Sequence, residues 1–185
     1  MRCHLVLALA LLPIGARAEG NFALIEQVGD ANWAVVTQIG SDADATIRQD
    51  GQGHEATLLQ AARAQRAVIA QTGTDSAATV VQRSGGDNLV LLEQTGNGHE
   101  AAIGTAGQGN LVGVTQSGEA QRAVVNVRGD ANGVGLQQAG QGNAADLGIV
   151  GGGNQWTIEQ SGQGLGLRVR RVGDGTALAI RQTGS

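Results

Sequence analysis

From Asn21 to the end of the chain, polar, small and aliphatic residues recur every eleven positions. NFALIEQVGDA is followed without a gap by NWAVVTQIGSD, and the same frame continues. Units start at residues 21, 32, 43, 54, 65, 76, 88, 99, 110, 121, 132, 143, 154, 165 and 176. Every step is eleven except the one of twelve between Ser76 and Asn88. The consensus is N-x-A-x-Φ-x-Q-x-G-x-x, with Φ aliphatic. Position five is Ile25, Val36, Ile47, Leu58, Ile69, Val80, Leu92, Ile103, Val114, Val125, Leu136, Leu147, Ile158, Val169 and Ile180. Position nine is glycine except at Ala62 and Ser84.

Positions one, three, five and seven alternate, so in an extended chain they share one face. Positions two, four and six carry mixed residues such as Arg66, Glu55 and Val68. That pattern predicts a half-buried strand of about seven residues rather than a helix, whose apolar stripe recurs at three and four. Gly at position nine then supplies the turn, because glycine accepts positive φ at little cost.

A period of twenty-two underlies the period of eleven. In odd units position seven is always glutamine: Gln27, Gln49, Gln71, Gln94, Gln116, Gln138, Gln160 and Gln182. Even units have Gln38, Gln60 and Gln82, then Thr105, Val127, Ile149 and Arg171. One strand pair cannot bury its inner face, but stacked coils can. The expected fold is therefore all-β: a parallel β-solenoid (β-helix) of two facing sheets, with two eleven-residue strand-turn units per 22-residue coil and about 7.5 coils. At the usual strand spacing the rod is roughly 35 Å long. The aliphatic fifth positions form its dry centre. The glutamines, and the position-one residues Asn21, Asn32, Asn88, Asn110, Asn132, Asn143 and Asn154, flank that centre. Stacked amides of this kind can form hydrogen-bonded ladders.

Composition narrows the reading. Of 185 residues 31 are glycine, one is proline, one is phenylalanine, two are tryptophan and none is tyrosine, which argues against a globular core of large rings. All twelve basic residues are arginine. Residues 1–18 look like an export signal, with Arg2, an apolar run from Leu5 to Leu12 and the small-x-small site Ala16-Arg17-Ala18. The run is too short to span a bilayer. Cleavage after Ala18 leaves one solenoid domain, 19–185, with a formal charge of −6 from ten arginines and sixteen acids. That charge argues against a nucleic-acid partner. Cleavage also removes the only cysteine, Cys3, so no disulfide is expected.

The units NWAVVTQIGSD, QRAVIAQTGTD and NLVLLEQTGNG resemble the curlin repeat of curli fibre subunits, and the resemblance runs from residue 21 to 185. It implies a secreted subunit that polymerises into extracellular amyloid fibres for surface adhesion and biofilm matrix. It also implies a companion subunit and an outer-membrane secretion channel with accessory factors. Curli major subunits carry a Gly/Asn-rich segment ahead of the repeats; here Glu19 and Gly20 alone lie between the cleavage point and Asn21. The unit LGLRVRRVGDG, with Arg168, Arg170 and Arg171, is reminiscent of the basic terminal repeat of the minor, nucleating subunit, and marks an anchoring patch. The pattern itself favours polymerisation, since neither terminal unit is followed by an obvious polar cap and uncovered strand edges accept another chain.

Other chemistries find less support. His54 and His99 each precede Glu, but neither HEAT nor HEAA completes the zinc-binding HExxH. They stand two coils apart, roughly 10 Å, too far to share one metal, and are expected to substitute for Asn in its ladder. GQGN and GNGH lack the lysine of a phosphate-binding loop. The acids are scattered over outward positions and turns, which suits solvated charge better than a catalytic pair. No cofactor is expected and no enzymatic activity. Phe22, Leu24, Trp33 and Val35 point outward in the first two units. The alternative function is a monomeric solenoid adhesin or a polysaccharide- or ice-binding module; the flat threonine or aromatic array it calls for is not found.

Overall fold

The computed structural model describes residues 6–11 and 20–184. The cleavage site expected at residues 16–18 lies outside the described residues. The strands fall into two parallel sheets of eight, with no helix among the described residues. One sheet holds β1 (Val6–Leu11), β3 (Trp33–Gln38), β5 (Glu55–Gln60), β7 (Ala77–Gln82), β9 (Glu100–Ala106), β11 (Arg122–Arg128), β13 (Ala144–Val150) and β15 (Gly166–Val172), in that order. The other runs from β2 (Phe22–Asp30) through β4 (Asp44–Gln52), β6 (Arg66–Thr74), β8 (Leu89–Asn97), β10 (Leu111–Glu119), β12 (Gly133–Gln141) and β14 (Gln155–Gln163) to β16 (Ala177–Thr183). Even units build the first sheet and odd units the second, as the glutamine pattern indicates. Coils stack without register shift: Gln116 pairs with Gln94 on one side and Gln138 on the other. The extra residue of the twelve-residue step is taken up between β7 and β8, beyond the paired positions.

The alternation works as the sequence requires. Along β5, Glu55 is exposed while Ala56, Leu58 and Gln60 are buried. The fifth-position residues from Val36 to Ile158 are all at most 3% exposed, and Ile25, Val169 and Ile180 pack against them at the two ends. Among the described residues, the buried core runs from Ala34 to Ile158. The Val6–Leu11 segment pairs only with the outer edge of β3, from Val6 opposite Trp33 to Leu11 opposite Gln38.

Two local features differ from the expectation. The odd-unit strands β2 to β14 run nine residues, not seven, and pass through the position-nine glycine, so Gly118 is paired in the ladder with Gly96 and Gly140. These glycines do have positive φ, +107° at Gly118, but they are also packed against one another. A Cβ on Gly118 would fall well inside contact distance of the Gly140 carbonyl oxygen in the next coil. The sharp left-handed residue of the corner is instead position eleven. Its φ lies between 51° and 67° from Ala31 to Gly175, whether the residue is Gly, Asp or Ala, and in the twelve-residue unit the twelfth residue, Asp87, takes this place with φ 56°.

Candidate functional site

The candidate site is the repeated inner surface itself. In the odd-unit sheet Gln27, Gln49, Gln71, Gln94, Gln116, Gln138, Gln160 and Gln182 form one unbroken amide chain. Each Nε2 donates to the Oε1 of the next coil, at 2.6 to 2.9 Å. The same Nε2 also donates to a backbone carbonyl of the preceding unit, as Gln49 does to Trp33 O and Gln116 to Glu100 O. In the other sheet the chain covers Gln38, Gln60 and Gln82, then meets Thr105, whose buried Oγ1 has no partner among the described residues. Val127 and Ile149 continue that column as buried apolar residues, while Arg171 is exposed and donates from Nε to Thr176 Oγ1.

Position one does a second job that the sequence did not disclose. Asn88, Asn110, Asn132 and Asn154 form an amide chain running the opposite way, each Nδ2 donating back to the previous Oδ1 at 2.9 to 3.0 Å. More generally, a position-one side chain accepts the backbone N–H of the residue one coil on. Asn21 takes Ala43 N–H, Asn32 takes His54 N–H, Asn143 takes Leu165 N–H and Asn154 takes Thr176 N–H. The asparagine Nδ2 then donates to a glycine carbonyl in the next turn, as Asn32 does to Gly51 and Asn143 to Gly162. An asparagine therefore clamps a corner, satisfying groups that would otherwise be buried unpaired at a cost of about 1–3 kcal/mol each.

Both histidines occupy this clamp. His54 Nδ1 accepts Ser76 N–H and His99 Nδ1 accepts Gln121 N–H, each at 3.3 Å. His99 Nε2 lies 3.0 Å from Thr95 O, so the ring is neutral with its proton on Nε2. Burial pushes the His99 pKa below its ordinary value of 6.5, against weaker upward pulls from the Thr95 and Gly118 backbone. The unfolded chain then takes up the proton first as pH falls, so this contribution to stability is intact above about 6.5 and is lost below it. Between pH 7 and pH 5 the urea midpoint of the parent should fall, and His99→Asn, which keeps an acceptor at the clamp, should fall less. Equal falls would remove His99 as the cause.

With this geometry in view, comparison with known families becomes specific. The family model described as Curlin associated repeat matches residues 19–51 and again residues 85–118. The chain is a curlin-repeat protein. Each match spans about three of the eleven-residue units. No curated protein and no solved structure matches the chain.

The outer faces of the curlin-repeat solenoid are charged and laterally tied. An acid on one coil pairs with an arginine on the next: Glu26 with Arg48, Glu100 with Arg122 and Glu159 with Arg181, each at 2.8 Å. Such exposed pairs are worth about 0–1 kcal/mol each, so they favour register more than stability. Arg168 and Arg170 both reach Asp146, at 3.0 and 3.3 Å. Phe22 and Trp33 are exposed in neighbouring strands of opposite sheets, while Leu24 and Val35 are half-buried. The structure thus sets Arg168 and Arg170 together on one outer face, with Arg171 in the glutamine column.

Proposed function

We propose that this curlin-repeat protein is a secreted structural subunit of curli-like extracellular amyloid fibres, polymerising end to end in adhesion and biofilm matrix. The observation that carries the reading is the openness of its ladders. Gln27 Oε1 and Gln38 Oε1 in the first coil are buried acceptors without a donor among the described residues. At the other end Leu167, Val169, Leu178 and Ile180 are only partly buried, unlike the same positions inside the rod. Another copy supplies what both ends lack, and such a heterologous contact does not close on itself, so it makes a filament. Residues 1–18 serve as the export signal, and an outer-membrane channel with accessory factors completes secretion. The outward Arg168 and Arg170, with Arg171 in the neighbouring glutamine column, suit a minor, nucleating role, anchored to a companion subunit.

The purified chain, started at Glu19, is expected to form thioflavin-positive fibres with a meridional reflection near 4.7–4.8 Å. A chain that stays monomeric for days at micromolar concentration points instead to a monomeric solenoid adhesin.

A further inference from the structure

The hydrogen bonds of the solenoid fix how one copy can continue another. A position-seven Nε2 reaches a carbonyl sixteen residues back in odd units, as Gln49 to Trp33, and equally in even units, as Gln60 to Asp44. A position-one Nδ2 reaches a glycine carbonyl nineteen residues ahead from the even unit of Asn32 and from the odd unit of Asn132 alike. Identical offsets mean that one operation relates every unit to the next. That operation is a half turn about the rod axis with half a coil of rise, about 2.4 Å on the usual strand spacing. Among the described residues, β2 to β16 make fifteen such units, an odd number, so the first and last lie in the same sheet. The unit that continues β16 by the same operation therefore belongs in the opposite sheet, over β15.

Resting on the fibre reading above, we infer that a second copy docks with its β2 on β15 and its β3 on β16. Each subunit is then rotated by a half turn relative to the last, and odd and even units exchange sheets at every joint. Docking by translation alone, β2 on β16 and β3 on β15, leaves half a coil missing at each joint.

The side chains at the two ends fit the half-turn joint. Gln27 Oε1, a buried acceptor without a donor among the described residues, comes opposite Arg171, whose guanidinium only donates. Gln38 Oε1, in the same condition, comes opposite Gln182, whose Nε2 otherwise makes a single 3.4 Å bond to Gly166 O. Arg170, which shares Asp146 with Arg168, comes beside Glu26 of the next copy. Val172 and Val28, 77% and 63% exposed, are the two most exposed large hydrophobic residues among the described residues, and both sit at position eight. The half-turn joint places one directly over the other. The translational joint sets Val172 against Ile39 and Val28 against Thr183. Because the Val6–Leu11 strand occupies the outer edge of β3, the joint forms only once that segment has left.

Cysteine pairs distinguish the joints, since the chain from Glu19 has no cysteine of its own. Neighbouring strands place equivalent Cα atoms about 4.8 Å apart, inside the range of about 4.4–6.8 Å that disulfides accept. Fibres are grown under reductant from V28C/V172C and from I39C/V172C chains, then oxidised, dissolved and resolved without reductant. The expected result is a ladder of linked multimers from V28C/V172C and monomer from I39C/V172C. The reverse result overturns the half-turn joint in favour of translation. Fibres that link in neither variant overturn end-on docking. Should the variants not assemble, image reconstruction of unsubstituted fibres decides. A rotation near a half turn per step of about 36 Å supports the joint, and a rotation near zero per step of about 38 Å overturns it. Absence of fibres from the unsubstituted chain is a different failure, that of the fibre reading itself.

Discussion

Gly118→Ala is expected to open the rod between β10 and β12 and to be among the costliest single substitutions in the chain. The reason is stacking more than turning. Gly118 has φ +107°, which an alanine adopts only with strain of about 1–3 kcal/mol. In addition its new Cβ meets the carbonyl oxygen and carbon of Gly140, backbone atoms that cannot swing aside as a side chain could. The strands must separate there, giving up ladder bonds on both sides. We expect a loss of at least about 3 kcal/mol, a large part of the 5–15 kcal/mol that holds an ordinary domain together. Because each coil touches only its neighbours, the damage should be local. Amide exchange should accelerate across β10 and β12 and stay slow in β4. Gly164→Ala is the control: its φ is +62° and its Cβ would meet nothing within 4 Å. It should cost only the left-handed penalty of about 1–2 kcal/mol. If the two variants unfold at the same urea concentration, the stacking explanation is wrong and conformation alone keeps glycine at position nine.

The contrast between those glycines marks where the sequence is readable and where it is not. The inner face was legible because burial enforces it residue by residue: a polar side chain at position five has nowhere to go. The odd and even columns were legible for the same reason, since a buried amide such as Gln116 needs an amide above and below it. At position nine the sequence points to glycine with positive φ, and so to a turn. Its stacking role depends on the carbonyl of a residue twenty-two positions away, which no local rule contains. Position eleven was missed because alanine does not announce a left-handed conformation. Ala31, Ala64, Ala120 and Ala131 hold φ between 51° and 57°, at sites that other units fill with Gly or Asp. Collecting all the position-eleven residues as one column, Gly with Asp and Ala, was the available signal. The clamp at position one was half seen. From the sequence, histidine stands in for asparagine as a member of a side-chain ladder. The structure shows that what His54 and His99 share with asparagine is an acceptor for the next coil's N–H.

Gln116→Leu should destabilise the chain by about 2–4 kcal/mol, mostly through the atoms it leaves behind. Gln116 is fully buried, accepts from Gln94 Nε2 at 2.8 Å and donates to Gln138 Oε1 at 2.9 Å. Leucine fills much of the same volume but offers neither group. Gln94 keeps its bond to Ala77 O, so its amide is only partly orphaned. Gln138 Oε1 has no second donor and becomes a buried acceptor without a hydrogen bond. Adding Gln138→Leu moves that orphan to Gln160 Oε1 instead of creating a second one, because the two leucines now pack against each other. The double variant should therefore lose less than the sum of the singles, with a coupling of about 1–3 kcal/mol in a double-mutant cycle on urea midpoints. Additive losses would mean that each glutamine acts alone and that the amide chain is a consequence of packing. The even-unit column already has the form that coupling favours. Gln38, Gln60 and Gln82 are consecutive, and the change to Thr105, Val127 and Ile149 happens once, leaving one unpartnered hydroxyl at the boundary among the described residues. Alternating glutamine and apolar residues down that column would have created such a boundary at every coil.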